Sequence, residues 1–136
     1  MTFQPNYLAV VVAALVAHIL GWLWYMPLFG KAWRNARGIT DQMVAEGQKD
    51  MGKTMAVIAV CTIIMAWAIG LFASYTHLVT WMQGLKLGVL CWFGFAFTMG
   101  LVETVTSRRK MAGFYIDTGY YLVSFVVMGI ILSLWH

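Results

Sequence analysis

Gly21-Trp22-Leu23-Trp24-Tyr25-Met26-Pro27-Leu28-Phe29-Gly30-Lys31-Ala32-Trp33 decides how this chain is read. A long apolar run ends inside it. The rings of Trp22, Trp24 and Tyr25 meet Pro27, and the first positive side chain, Lys31, follows. Amphipathic rings favour the headgroup level of a bilayer, proline interrupts a helix, and cations stay in water on the cytoplasmic side. The stretch reads as a membrane helix leaving the bilayer.

Composition agrees. The chain has 136 residues, 62% hydrophobic and 10% charged, against about a quarter charged in soluble domains. A soluble protein this apolar would lack residues to cover its surface, so the bilayer is the expected solvent and 1–136 the single domain. The net charge of +4 is no sign of nucleic acid. Its cations fall in two clusters between apolar runs, which suits lipid headgroups. Cys61 and Cys91 both lie in apolar runs, roughly 10 Å apart in depth at 1.5 Å per residue, so they read as small buried hydrophobes rather than a disulfide. Met1 to Asn6 has no positive side chain and the first apolar run is long for a signal peptide, so the first helix is expected to stay.

Four apolar runs place transmembrane helices near 6–26, 53–75, 83–106 and 113–135. Each is long enough to span with some tilt. Backbone groups in lipid must pair internally, which favours an all-α antiparallel bundle; the period-two alternation of a membrane barrel is absent. Lys31, Arg34, Arg37, Lys49 and Lys53 follow the first helix, and Arg108, Arg109 and Lys110 follow the third. The positive-inside rule then puts both termini on the outer side, with Tyr7, Tyr75, Trp81 and Trp135 as an outer aromatic belt.

Small residues recur every fourth position: Ala9, Ala13, Ala17 and Gly21 in helix one, Thr62, Ala66, Gly70 and Ser74 in helix two. Gly84 and Gly88 form a GxxxG pair in helix three. Such stripes let backbones approach where lipid supplies no hydrophobic drive, within a bundle or between copies of a homo-oligomer. Between the first two spans, Leu28 to Ala36 reads as a short interfacial helix, with Leu28, Phe29, Ala32, Trp33 and Ala36 on one side. Gly38 is expected to end it, and Thr40 to cap a second short helix with Asp41 at its start. The segment serves as a lipid-contacting spacer or as a docking site for a soluble partner.

Gly47-Gln-Lys-Asp-Met-Gly52-Lys53-Thr54 matches the phosphate-loop pattern G-x-x-x-x-G-K-[ST]. That motif needs a preceding strand and a parallel sheet, and neither is expected here, so no nucleotide is assigned. The ionisable residues within the spans carry more weight, because charge in lipid is costly and usually faces the bundle interior. His18 lies about 13 Å, Glu103 about 7 Å and Asp117 about 10 Å from the cytoplasmic end, all in one slab. On helix four Asp117, Tyr120, Tyr121 and Ser124 share a face, as do His18, Trp22 and Tyr25 on helix one. His18, Glu103, Asp117, Tyr120, Tyr121 and Ser124 are therefore the candidate polar intramembrane site. The carboxylates lock the bundle by pairing with Arg108, Arg109, His18 or tyrosine hydroxyls, or they bind a proton, cation or polar solute. A metal would need more regular ligand spacing, and no nucleophile–base pair is legible, so no metal, cofactor or catalytic residue is assigned.

The opening stretch resembles the signature of the bacterial membrane family called domain of unknown function 1761, approximately G-x-x-W-Y-x-P-x-x-F-G-K-x-W. Gly21, Trp24, Tyr25, Pro27, Phe29, Gly30, Lys31 and Trp33 carry the resemblance, with one residue fewer between Pro27 and Phe29 than in some members. Ile116-Asp117-Thr118-Gly119-Tyr120 and Met128-Gly129-Ile130-Ile131 look like the family's I-N-A-G-Y and M-G-x-I-L segments. The resemblance implies four membrane helices in a bacterial membrane and attaches no activity; the inner (cytoplasmic) membrane is the expected location. It also implies asparagine at position 117, which counts against a universal ion or metal site. The resulting expectation is an oligomeric transporter or channel-like protein for a proton, cation or small polar solute, or else an accessory or assembly subunit of a larger membrane complex. The aromatics of the opening stretch carry one further expectation, that Trp22 or Tyr25 packs toward the polar slab.

Overall fold

The computed structural model describes residues 5–135; Met1 to Gln4 and His136 lie outside the described residues, and with them most of the uncharged N-terminal segment. The described chain is helical, with no strand. Seven α-helices follow in order: α1 Tyr7–Leu23, α2 Gly30–Arg37, α3 Asp41–Gln48, α4 Met51–Tyr75, α5 Trp81–Cys91, α6 Thr98–Thr106 and α7 Met111–Leu134. π-helical segments, Trp24–Leu28 and Trp92–Phe97, extend α1 and join α5 to α6. Four stretches are long and apolar enough to cross a membrane: Tyr7–Leu28, Met51–Tyr75, Trp81–Thr106 and Met111–Leu134.

Local chemistry sets the ends. Asn6 caps α1 by accepting from Leu8 N at 3.0 Å and Ala9 N at 3.3 Å. Thr80 and Gln83 form a reciprocal capping box at the start of α5. Gly38, at φ +68°, ends α2 in the left-handed conformation, and the Thr40 hydroxyl accepts from Met43 N to start α3. The first span outlasts its proline. Pro27 has no N–H, and its ring would strike the carbonyl four residues back. A π turn, closed by Phe29 N to Trp24 O at 2.9 Å, inserts one residue and carries the helix to Leu28. The phosphate-loop pattern straddles the end of α3, a turn at Lys49–Asp50 and the start of α4, and no described strand precedes it.

The fourth span is the axis of the bundle: α7 packs against α1, α4 and α5. The small-residue stripes make these contacts. Ala9, Ala13, Ala17, Thr62 and Ala66 are buried, and Gly70 lies against Pro5 and Leu132. Gly84 and Gly88 meet the backbone of α7 at Gly129 and Phe125 so closely that neither has room for a Cβ. Between apolar helices in lipid the gain is dispersion between backbones that small residues let approach. All of the stripes are thus occupied inside one protomer. The third span is the least covered, 11% buried across its apolar window against 28% for the first and fourth. Apart from its α7 contact, most of its surface is free to face lipid.

Tyr7, Tyr75, Trp81 and Trp135 are exposed at the span ends opposite α2, where an aromatic belt belongs.

Candidate functional site

The N-terminal half of α7 is where the opening motif arrives. Asp117 is the focus. Tyr25 Oη donates to its Oδ1 at 2.6 Å and Trp33 Nε1 donates to the same oxygen at 3.0 Å. The Arg37 guanidinium pairs with Oδ2. The three donors come from two elements, the π segment and α2, brought together over Asp117. Trp33 and Arg37 are four apart, so they share one face of α2. The Tyr25 ring stands edge-on to Trp33 and to Tyr120, with centroids 5.4 Å away in both cases.

Neighbouring contacts hold the same stretch of α7. Trp24 Nε1 donates to the Ile116 carbonyl at 3.0 Å. From the other side Trp92 Nε1 donates to the Thr118 carbonyl at 2.8 Å and to Thr118 Oγ1 at 3.1 Å. Tyr120 Oη returns a bond to the Ala17 carbonyl at 2.9 Å. Each π segment therefore begins with a tryptophan whose indole N–H grips α7 within residues 116–118. Trp92→Phe keeps the ring and removes the donor. It is expected to cost about 1 kcal/mol, read as a lower midpoint in SDS-driven unfolding, with Trp24→Phe behaving alike.

Glycines make the approach possible. A Cβ on Gly119 would press on Trp24, one on Gly113 on the Arg37 side chain, and one on Gly21 on the Tyr120 hydroxyl. A Cβ on Gly30 would sit 2.8 Å from the Tyr25 carbonyl, so only glycine lets α2 begin directly against the π segment. Phe29 packs on Trp24 with centroids 4.8 Å apart. Of the motif residues, Gly21, Trp24, Tyr25, Phe29, Gly30 and Trp33 are thereby accounted for by packing, while Pro27 and Lys31 are exposed.

Electrostatics explains the donor set. A carboxylate at this depth needs a cation and hydrogen bonds to offset lost hydration. Arg37 supplies the charge, and Tyr25 and Trp33 fill the second oxygen. The side chains of Arg37 and Asp117 remain 15% and 24% exposed, so the pair lies at the edge of the protein rather than in its core. Asparagine at this position, as the resemblance implies, would keep the acceptor for Tyr25 and Trp33 and lose the ion pair.

The six candidate residues do not converge on one point. Asp117 sits in the cluster just described. Tyr120 borders it through Tyr25, and Tyr121 packs between Tyr120 and Phe125. Ser124 is buried one turn further along α7. His18 has its Nδ1 buried without a hydrogen-bond partner. Glu103 pairs with Arg109 at 3.4 Å on an exposed surface. Among the described residues no group of three His, Cys, Asp or Glu side chains is placed to hold a metal, and Cys61 and Cys91 are both free. Tyr25 turns inward onto Asp117, whereas Trp22 is 60% exposed. Arg37 is the partner that sequence reasoning missed, having been read as a topological cation. Its i, i+4 relation to Trp33 and the slot at Gly113 were the available signals.

No curated protein and no solved structure matches the chain. Residues 8–133, nearly its whole length, match the family described as protein of unknown function, DUF1761, and the chain belongs to that family.

Proposed function

We propose that the chain is a multi-pass protein of a bacterial inner membrane, with both termini outside, acting without catalysis as an accessory or assembly subunit of a larger membrane complex. The observation that carries this reading is the state of Asp117. It is the carboxylate best placed to handle a proton or cation within the spans, and it already holds Arg37, Tyr25 and Trp33. Glu103 is engaged by Arg109 at the surface. The polar chemistry of the bundle is thereby directed to fastening α2 onto α7. The result is a cytoplasmic rim with α2 held against the start of α7, while the sparsely covered third span leaves a face within the membrane for a partner.

Two observations favour transport instead: the Arg37–Asp117 pair is partly exposed, and His18 Nδ1 is buried without a hydrogen-bond partner. On that reading the pair opens to admit a proton or cation. Flux in proteoliposomes separates the two. The accessory reading expects proton and potassium leak equal to that of protein-free vesicles, together with a stoichiometric second polypeptide in complexes extracted from native membranes. Flux above background that falls in Asp117→Asn, or a self-complex alone, would contradict it.

A further inference from the structure

We infer that α2 and the Arg108–Lys110 turn form a binding surface for anionic phospholipid headgroups, with Lys31 and Arg34 as its principal contacts. The inference stands independently of the accessory reading.

Depth comes first. Asp117 lies about 9 Å along α7 from Met111, at 1.5 Å per residue. Because Trp33 and Arg37 bond to Asp117, and the Arg37 stem lies against Gly113, α2 is held beside the first turns of the fourth span. It therefore sits at headgroup level instead of projecting into water. Leu28, 66% exposed, and Met26, 51% exposed, present apolar surface next to its start, as a helix seated at the boundary requires.

Charge is partitioned to match. Gly30–Arg37 contains Lys31, Arg34 and Arg37 and no acid. Beyond Gly38 the balance reverses, with Asp41, Glu46 and Asp50 on and after α3. The Arg108–Lys110 turn carries three cations in succession. Arg37 is neutralised by Asp117 and Arg109 by Glu103. Lys31, Arg34, Arg108 and Lys110 have no carboxylate partner among the described residues. With Trp33 and Arg37 turned to Asp117, helical geometry puts Lys31 on the opposite side of α2 and Arg34 on its flank. These cations can meet phosphate while the acids of α3 stay clear of it.

The test is lipid retention. The full chain is placed in nanodiscs of equal phosphatidylglycerol and phosphatidylcholine, extracted, and the bound lipids are counted by native mass spectrometry. The wild type is expected to enrich phosphatidylglycerol, less so at high salt. Each surface cation is worth about fivefold in such a preference, so Lys31→Gln with Arg34→Gln is expected to lower it about 25-fold. Lys49→Gln with Lys53→Gln removes the same charge from exposed positions beside the acids, and is expected to leave the enrichment in place. All variants are compared at matched SDS-unfolding midpoints. Equal retention of the two lipids by the wild type, or an equal fall in both double variants, overturns the proposal.

Discussion

Asp117→Ala is expected to loosen α2 from the bundle and to cost about 2–4 kcal/mol of stability in mixed micelles. The change strands the Arg37 guanidinium at the membrane edge and leaves the Tyr25 hydroxyl and Trp33 indole without their acceptor. Breaking a buried pair from one side costs about 3–5 kcal/mol, and partial exposure of both partners shifts this pair toward and below the lower end of that range. Asp117→Asn is expected to be milder, because an amide oxygen still accepts from Tyr25 and Trp33. Amide hydrogen exchange supplies the structural readout. Protection in Gly30–Arg37 falls in the alanine variant while the α5–α7 contact stays protected. Unchanged exchange in α2 would mean that Asp117 does not hold it.

Gly84→Val is expected to be equally damaging for a different reason. A Cβ at Gly84 runs into the Gly129 carbonyl and the Ser133 hydroxyl. Those neighbours are the backbone and a short side chain of α7, so neither can swing away and the two spans must separate. Overpacking costs about 1–3 kcal/mol where side chains can adjust, and contact with backbone puts this site at about 3 kcal/mol or more. Gly94→Ala is the internal control. It lies on the same span with open space around it, and is expected to be neutral or to gain up to about 1 kcal/mol from helix propensity. If the two substitutions give the same unfolding midpoint, close packing at Gly84 is wrong.

Much of this architecture is written locally. The spans follow from apolar runs of membrane length, and the short helices from Gly38 and Thr40, whose conformation and capping depend on nearest neighbours. The small-residue stripes name the packing faces. Whether those faces are used within or between protomers depends on the tertiary arrangement, and here α7 and the packing of α1 on α4 take them up. The end of the first span was less legible. Proline signals a stop, and the π turn that absorbs it depends on Phe29 reaching back to Trp24. The candidate site was half legible. Depth along each helix put Asp117 in the right slab and the aromatic string pointed Tyr25 toward it. The same arithmetic put Glu103 there too, because depth says nothing of rotation about the helix axis. Glu103 turns outward to Arg109. The pairing of Arg37 with Asp117 spans 80 residues, and within either segment only the i, i+4 spacing of Arg37 from Trp33 and of Asp117 from Gly113 hints at it.

The central claim is that the opening motif closes onto the fourth span through Arg37 and Asp117. A double-mutant cycle with Arg37→Met, Asp117→Leu and the combined variant, measured by SDS-driven unfolding, tests it most directly. A true pair predicts that each single change is destabilising and that the second change adds little or restores stability, with a coupling of about 1–3 kcal/mol. Strictly additive effects would show that the two residues do not meet, and would contradict the account.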